Sequence, residues 1–243
     1  MNQSSSDTLA PRAASVRTLD DLRGPAGRLE ALFAPGRPDA PYAAVVAHPH
    51  PLFGGTMHTK VVYHATKTFQ HAGLPVLRFN YRGVGTSEGK YDRGEGERQD
   101  LAAAIEWLKR ETGLPILAAG FSFGAWVTLR LCCAGGEDAA ASVRGIVAIG
   151  LPIQAGDRTY TYDFLPGCEL PKLFVSGAAD EFGSVPAVEA AVALATAPAQ
   201  LVFVPGADHF FQGVPDGLKQ MQAAIRAWLE SNFGLHALEE RPK

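Results

Sequence analysis

Ser122 stands between two glycines in Gly120-Phe121-Ser122-Phe123-Gly124, after an apolar run at residues 115–119 and before a helix-forming run at 125–133. A strand, a sharp turn carrying one serine and a helix hold a hydroxyl exposed at a helix N-terminus. The glycines allow strand, turn and helix to crowd together around strained backbone. At that helix start the Phe123 N–H and the helix dipole favour a negatively charged oxygen. Such a serine becomes a nucleophile only with a base in hydrogen-bond reach and a carboxylate that holds the base in its useful tautomer. Two later glycine-led segments supply both types: Gly177-Ala178-Ala179-Asp180-Glu181 and Gly206-Ala207-Asp208-His209-Phe210-Phe211. Ser122, Asp180 and His209 are therefore the candidate catalytic residues, with Glu181 and Asp208 as rival carboxylates.

The elements that must position these groups follow from periodicity. Short apolar runs at 28–33, 42–48, 74–81, 115–119, 145–150, 172–176 and 201–204 read as strands. Between them lie helical patterns: one after Thr59 carrying Val61, Val62, Ala65 and Phe69, and one with Leu101, Ala104, Ile105 and Leu108 ending near Gly113. Further patterns follow the serine, cover 185–195, and close the chain with Leu218, Met221, Ile225, Trp228 and Leu229. Strands alternating with helices pair in parallel through crossover helices. The expected fold class is α/β: a three-layer α/β/α sandwich on a mostly parallel, doubly wound sheet. Reactive groups in such sheets gather at strand C-terminal ends, which directs attention to the loops starting at His48, Tyr81, Gly120, Gly150, Gly177 and Gly206.

Composition narrows the class. A chain of 243 residues, 47% apolar and 19% charged, suits one large domain at 18–243 behind a flexible tail at 1–17. The net charge of −3, without a long basic run, argues against nucleic acid and anionic membrane surfaces as partners, and no apolar stretch is long enough for a membrane span. The tail lacks the apolar core of a secretion signal. Cys132, Cys133 and Cys168 are odd in number, two of them adjacent, and read as small unpaired core residues of a reducing compartment. Together these point to a cytoplasmic protein, monomeric or a homodimer through the apolar C-terminal end.

The order Ser122, Asp180, His209 resembles that of the α/β-hydrolases. The chain is most similar to small bacterial serine hydrolases of the dienelactone-hydrolase-like type. They share the His-Pro loop at His48, the Arg82-Gly83-Val84-Gly85-Thr86-Ser87 loop and Gly-Phe-Ser-Phe-Gly-Ala. The resemblance implies an α/β-hydrolase fold with a minimal cap at 151–170. It implies that Ser122 attacks a carbonyl carbon, that His209 moves the proton, and that Asp180 orients and stabilises the imidazolium. It also implies two backbone oxyanion donors, Phe123 and His50, the latter within His48-Pro49-His50-Pro51 where relatives carry His-Gly-x-Pro. Proline at 49 departs from that pattern, leaving Leu52 as a substitute donor and His50–Pro51 as a candidate cis bond.

Five of the seven histidines fall between His48 and His71, which raises metal binding as a competing reading. No paired-cysteine or His-Glu-x-x-His spacing supports it, so neither a metal nor a cofactor is expected. The spacing Gly83-Val84-Gly85 to Gly89 misses a dinucleotide fingerprint, and Arg82 and Ser87 are expected to brace the loop, with Asp100 as the partner of Arg82. The aromatic connection at 151–170 should roof the serine, with Phe53, Phe121, Tyr160, Tyr162, Phe164 and Phe210 as pocket residues. The expected substrate is a small-molecule ester with a short acyl group. Thioesters, lactones and small amides pass through the same intermediate, and a ligand-binding protein without turnover is the reading from another class.

Overall fold

A computed structural model describes residues 15–135 and 138–238. Eight strands form one sheet: β1 (Arg17–Leu19), β2 (Ala31–Ala34), β3 (Ala43–Ala47), β4 (Val76–Phe79), β5 (Ile116–Phe121), β6 (Val143–Ile149), β7 (Lys172–Gly177) and β8 (Ala199–Val204). Their order across the sheet is β1-β2-β4-β3-β5-β6-β7-β8. β2 pairs antiparallel with both β1 and β4, and every other pairing is parallel. The chain runs from β3 outward to β4 and then back across to β5, so the winding direction reverses between β3 and β5. Loops leaving the C-terminal ends of those strands diverge to opposite sides and open a crevice. Ser122 and His48 sit at its two lips.

Alternation along the strands sorts side chains into two cores. Ala43, Val45 and Ala47 of β3 with Ile116 and Ala118 of β5 face α2 (Glu95–Thr112) and α3 (Phe123–Cys133). Ala44, Val46, Leu117, Ala119 and Phe121 face α1 (Lys60–His71) and α5 (Gly217–Phe233). The residues expected to line α1, namely Val61, Val62, Ala65 and Phe69, are fully buried there. The two valines and the phenylalanine each contribute roughly 1.5–3 kcal/mol of transfer free energy. The fourth helix, α4 (Val185–Val192), ends three residues short of the expected 195.

Two local devices fix α2. The Glu97 carboxylate accepts hydrogen bonds from the Asp92 and Gly94 amides at 2.9 and 2.7 Å, starting the helix six residues before its first apolar position. Gly113 ends it with φ of 72°, donating its amide to Lys109 O. The loop after β4 is braced as expected. Arg82 meets Asp100 through Nε and Nη2 at 2.9 and 2.8 Å, with the Arg82 amide on the same carboxylate. Ser87 Oγ donates to Asn80 O and accepts from the Glu30 amide.

Several expectations need correction. Residues 1–14 of the expected tail lie outside the described residues, while Arg17 already belongs to an edge strand, paired with Phe33. Cys133 and Cys168 form a disulfide across 35 residues, with Cα atoms 5.0 Å apart, instead of remaining as separate thiols. It ties the end of α3 to the end of the 151–170 connection, and it removes the cysteine argument for a reducing compartment. Cys132 remains a free, half-buried thiol. The His50–Pro51 bond is trans; among the described residues the cis bond is Ala197–Pro198. None of the described helices is long and apolar enough to cross a membrane.

Candidate active site

Ser122 sits at the start of α3 with φ of 55° and ψ of −121°, a conformation costing a non-glycine residue about 1–3 kcal/mol. The surrounding backbone enforces it. The Ser122 amide donates to Ile149 O at 2.8 Å on the neighbouring strand, and its carbonyl accepts from Ala125 and Trp126 at 2.8 and 3.1 Å. A Cβ at position 120 would stand 2.3 Å from Gly124 O, and one at position 124 would stand 2.5 Å from His48 O. Both glycines are therefore required by close approach of strand, turn and helix, as the sequence reading expects.

Asp180 and His209 leave β7 and β8 through loops that press together: a Cβ on Gly177 would lie 2.3 Å from Ala207 O. His209 Nδ1 lies 2.7 Å from Asp180 Oδ2, and both residues are buried. Nδ1–H donation to the carboxylate leaves Nε2 as the ring's acceptor nitrogen. The second Asp180 oxygen accepts the Phe182 amide at 2.8 Å, which fixes the carboxylate plane. Rings of Phe121, Phe182 and Phe210 surround the imidazole at centroid separations of 4.9, 4.7 and 5.3 Å. The rival carboxylates face backbone instead. Asp208 accepts the Phe210 and Gln212 amides, and Glu181 approaches the His209 amide at 3.4 Å.

On the Ser122 lip, the first amides of α3, Phe123 among them, have no intrahelical acceptor. On the opposite lip, the His48 loop is held in part by its own side chains. His48 is fully buried, with Nδ1 2.6 Å from Pro49 O and Nε2 accepting the Tyr81 amide at 3.0 Å. Burial pushes its pKa down to about 3, so it is a neutral bridge from the loop to the end of β4. His50 O accepts from the Phe53 and Gly55 amides, while His50 Nδ1 accepts the Leu52 amide at 3.2 Å. That bond occupies Leu52, the substitute oxyanion donor considered above. Burial, and secondarily the charge of Arg158, lower the His50 pKa to about 4. His50 Nε2 contacts Tyr91 Oη at 3.0 Å, and Arg158 Nη1 donates to the same oxygen at 2.6 Å. Neither Tyr91 nor Arg158 was singled out by sequence reasoning; the available signal was a lone basic residue in an aromatic connection.

Between the lips lies a cavity of about 530 Å³ reached by both Ser122 and His209. Of the expected pocket residues, Phe53, Tyr160 and Phe210 line it together with His50. Three do not. Phe121 is fully buried on the α1/α5 side of the sheet, Tyr162 is turned inward with its hydroxyl donating to Pro152 O at 2.6 Å, and Phe164 packs half-buried against the core. Phe182, Thr59, Gly55 and the Ala155-Gly156 turn take their places. Among the described residues, no Asp, Glu, Lys or Arg lines the cavity. The roof is only a two-residue ribbon, Gln154–Ala155 against Arg158–Thr159, so the cap is as small as expected. The clustered histidines disperse: His48 and His50 serve the loop, and His64 Nδ1 meets Gln222 Oε1 at 3.3 Å. Among the described residues no three His, Cys, Asp or Glu side chains gather as a metal-binding group.

Comparison with known proteins agrees with this architecture. The sequence pattern of a family described as an alpha/beta hydrolase domain matches residues 43–231. An uncharacterized protein of Rickettsia prowazekii is 35% identical over 223 residues, covering 88% of this chain and 91% of its own. Among solved structures, a serine hydrolase without a lid from Xanthomonas campestris is 32% identical, with TM-score 0.75, covering 96% of this chain and 99% of that one. A serine hydrolase homologue from Coxiella burnetii is 31% identical, with TM-score 0.75 and coverage of 90% and 99%.

Proposed function

The chain belongs to the α/β-hydrolase family, and from that premise we propose that it is a serine hydrolase cleaving carboxylic esters of small or short-chain acids through an acyl-serine intermediate. The observation that carries this reading is the Asp180–His209 pair at 2.7 Å opening on the same cavity as the strained Ser122. In the first half-reaction Ser122 Oγ attacks the carbonyl carbon while His209 Nε2 takes its proton, and Asp180 stabilises the resulting imidazolium. The negative oxygen forms against the amides of Phe123 and His50; one such donor is typically worth about 10²–10³ in kcat. His209 returns the proton to the leaving alcohol. Water then repeats the sequence on the acyl-serine and frees the acid.

The cavity supports uncharged, apolar ester groups, since its lining is rich in aromatic rings and, among the described residues, no Asp, Glu, Lys or Arg side chain lines it. Its volume of about 530 Å³ holds a short acyl chain beside a bulkier leaving group. Thioesters, lactones and small amides share the tetrahedral intermediate and belong to the same reading. A p-nitrophenyl ester series from acetate to decanoate, run with wild type and Ser122→Ala, with and without EDTA, tests it. Turnover in wild type alone, with a short-chain optimum and no EDTA effect, is the expected result. Equal rates in both proteins would remove Ser122 from catalysis.

A further inference from the structure

Arg158 is the only basic residue in the 151–170 connection, and it does not line the cavity. Its half-buried guanidinium has two hydrogen-bond acceptors and three aromatic neighbours. Nη1 donates to Tyr91 Oη at 2.6 Å and Nη2 to Arg93 O at 2.9 Å, while its central carbon lies 4.7, 4.8 and 5.5 Å from the rings of Trp126, Tyr160 and Phe123. Rings at these separations attract a cation, more strongly where water is partly excluded. The same guanidinium thus touches Phe123 directly and reaches His50 through one oxygen.

The hydrogen-bond directions define that link. His50 Nδ1 accepts from Leu52, so the neutral ring carries its proton on Nε2 and donates it to Tyr91 Oη. The phenol oxygen then accepts twice, from His50 and from Arg158. The His50 and Phe123 rings also pack on one another, 4.9 Å between centroids. We infer that Arg158, acting through Tyr91, is a positioning residue that fixes His50 and Phe123 so that their backbone amides converge where the oxyanion forms. This rests on the proposed role of those two amides.

Such a role has a kinetic signature. The Arg158 side chain lies behind the cavity lining and meets it only through Tyr160, so its loss should weaken transition-state stabilisation more than ground-state binding. Lysine keeps the charge but offers neither the planar fork nor the same stacking, and should not restore function. The test compares wild type, Arg158→Met, Arg158→Lys and Tyr91→Phe on p-nitrophenyl butyrate, alongside the second-order rate of fluorophosphonate labelling, whose phosphoryl oxygen occupies the same donors.

The expected result is a fall in kcat of about 10- to 100-fold for Arg158→Met, with KM within about twofold and little recovery in Arg158→Lys. Tyr91→Phe, which removes one hydroxyl and keeps the ring packing, should show a smaller fall of the same kind; it keeps the inference testable if Arg158→Met folds poorly. Labelling should slow in parallel. Unchanged kcat and labelling in variants of a reactive wild type, or a loss confined to KM, would overturn the role of Arg158 alone. A wild type that neither turns over nor labels would overturn the ester-hydrolase reading and this inference with it.

Discussion

The two lips of the cavity are built in different ways. On the β5–β8 side, each functional residue is placed by the strand that carries it and by backbone bonds between adjacent strand ends: Ser122 N to Ile149 O, Gly150 N to Val175 O, Ala178 N to Val204 O. Those bonds continue the parallel ladder, so Ser122, Asp180 and His209 inherit the rigidity of the sheet. On the β3 side, the His48 loop is set by its own His48 and His50 side chains and by side chains from distant segments: Tyr91, 41 residues beyond His50, and Arg158, 67 beyond Tyr91. The residues proposed to move protons, and the proposed Phe123 donor beside Ser122, are fixed by backbone, whereas the loop proposed to supply the second donor, His50, is held by a chain of polar and aromatic contacts. Single side-chain changes should therefore act abruptly on the first lip and gradually on the second.

The largest expected effect lies on the rigid lip. Asp180→Asn should lower kcat about 10³- to 10⁴-fold, because the amide cannot hold the same histidine tautomer. Asp208→Asn, which alters a turn carboxylate one residue from His209, should stay within a few-fold of wild type in the same steady-state assay. Equal losses in the two variants would erase the distinction between the carboxylate that faces the imidazole and its rival.

Next comes the crowding around Ser122. Gly124→Ala brings a methyl to 2.5 Å from His48 O and joins the two lips in one clash. It should cost about 2–3 kcal/mol in urea denaturation and slow labelling of Ser122. An unchanged midpoint would mean that the lips are less closely packed than described.

The smallest effect is a pH dependence belonging to the side-chain-held lip. Buried His48 has a folded pKa of about 3 against an ordinary 6.5. Its unfolded form binds a proton below pH 6.5 while the folded form does not, so stability is full above that pH and falls as pH drops towards 3. By pH 5 the loss is about 2 kcal/mol. Urea denaturation at pH 7.5 and 5 should show this difference shrinking by about that amount in His48→Gln; an identical pH dependence in both proteins would contradict a neutral, buried His48.

The contrast between the lips also explains what the sequence made legible. Asp180 and His209 lie in glycine-led turns directly after strands, and Gly120 and Gly124 mark the turn around Ser122, so local pattern and chain order were enough to select them. Arg158 and Tyr91 meet only through the folded path of a connection whose course no periodicity encodes. The Cys133–Cys168 pair was missed for the same reason. Phe121 was readable and misread: two residues after Ala119 on one strand, it must share that residue's buried face. β1 escaped notice because only Leu19 of its three residues is buried, leaving no alternation to detect.

The central claim is that Ser122 is the nucleophile, and peptide mapping after fluorophosphonate treatment tests it most directly. The account predicts one adduct, on the peptide containing Ser122, absent in Ser122→Ala and slowed in Asp180→Asn. An adduct on a different residue, or one that persists in Ser122→Ala, would contradict it.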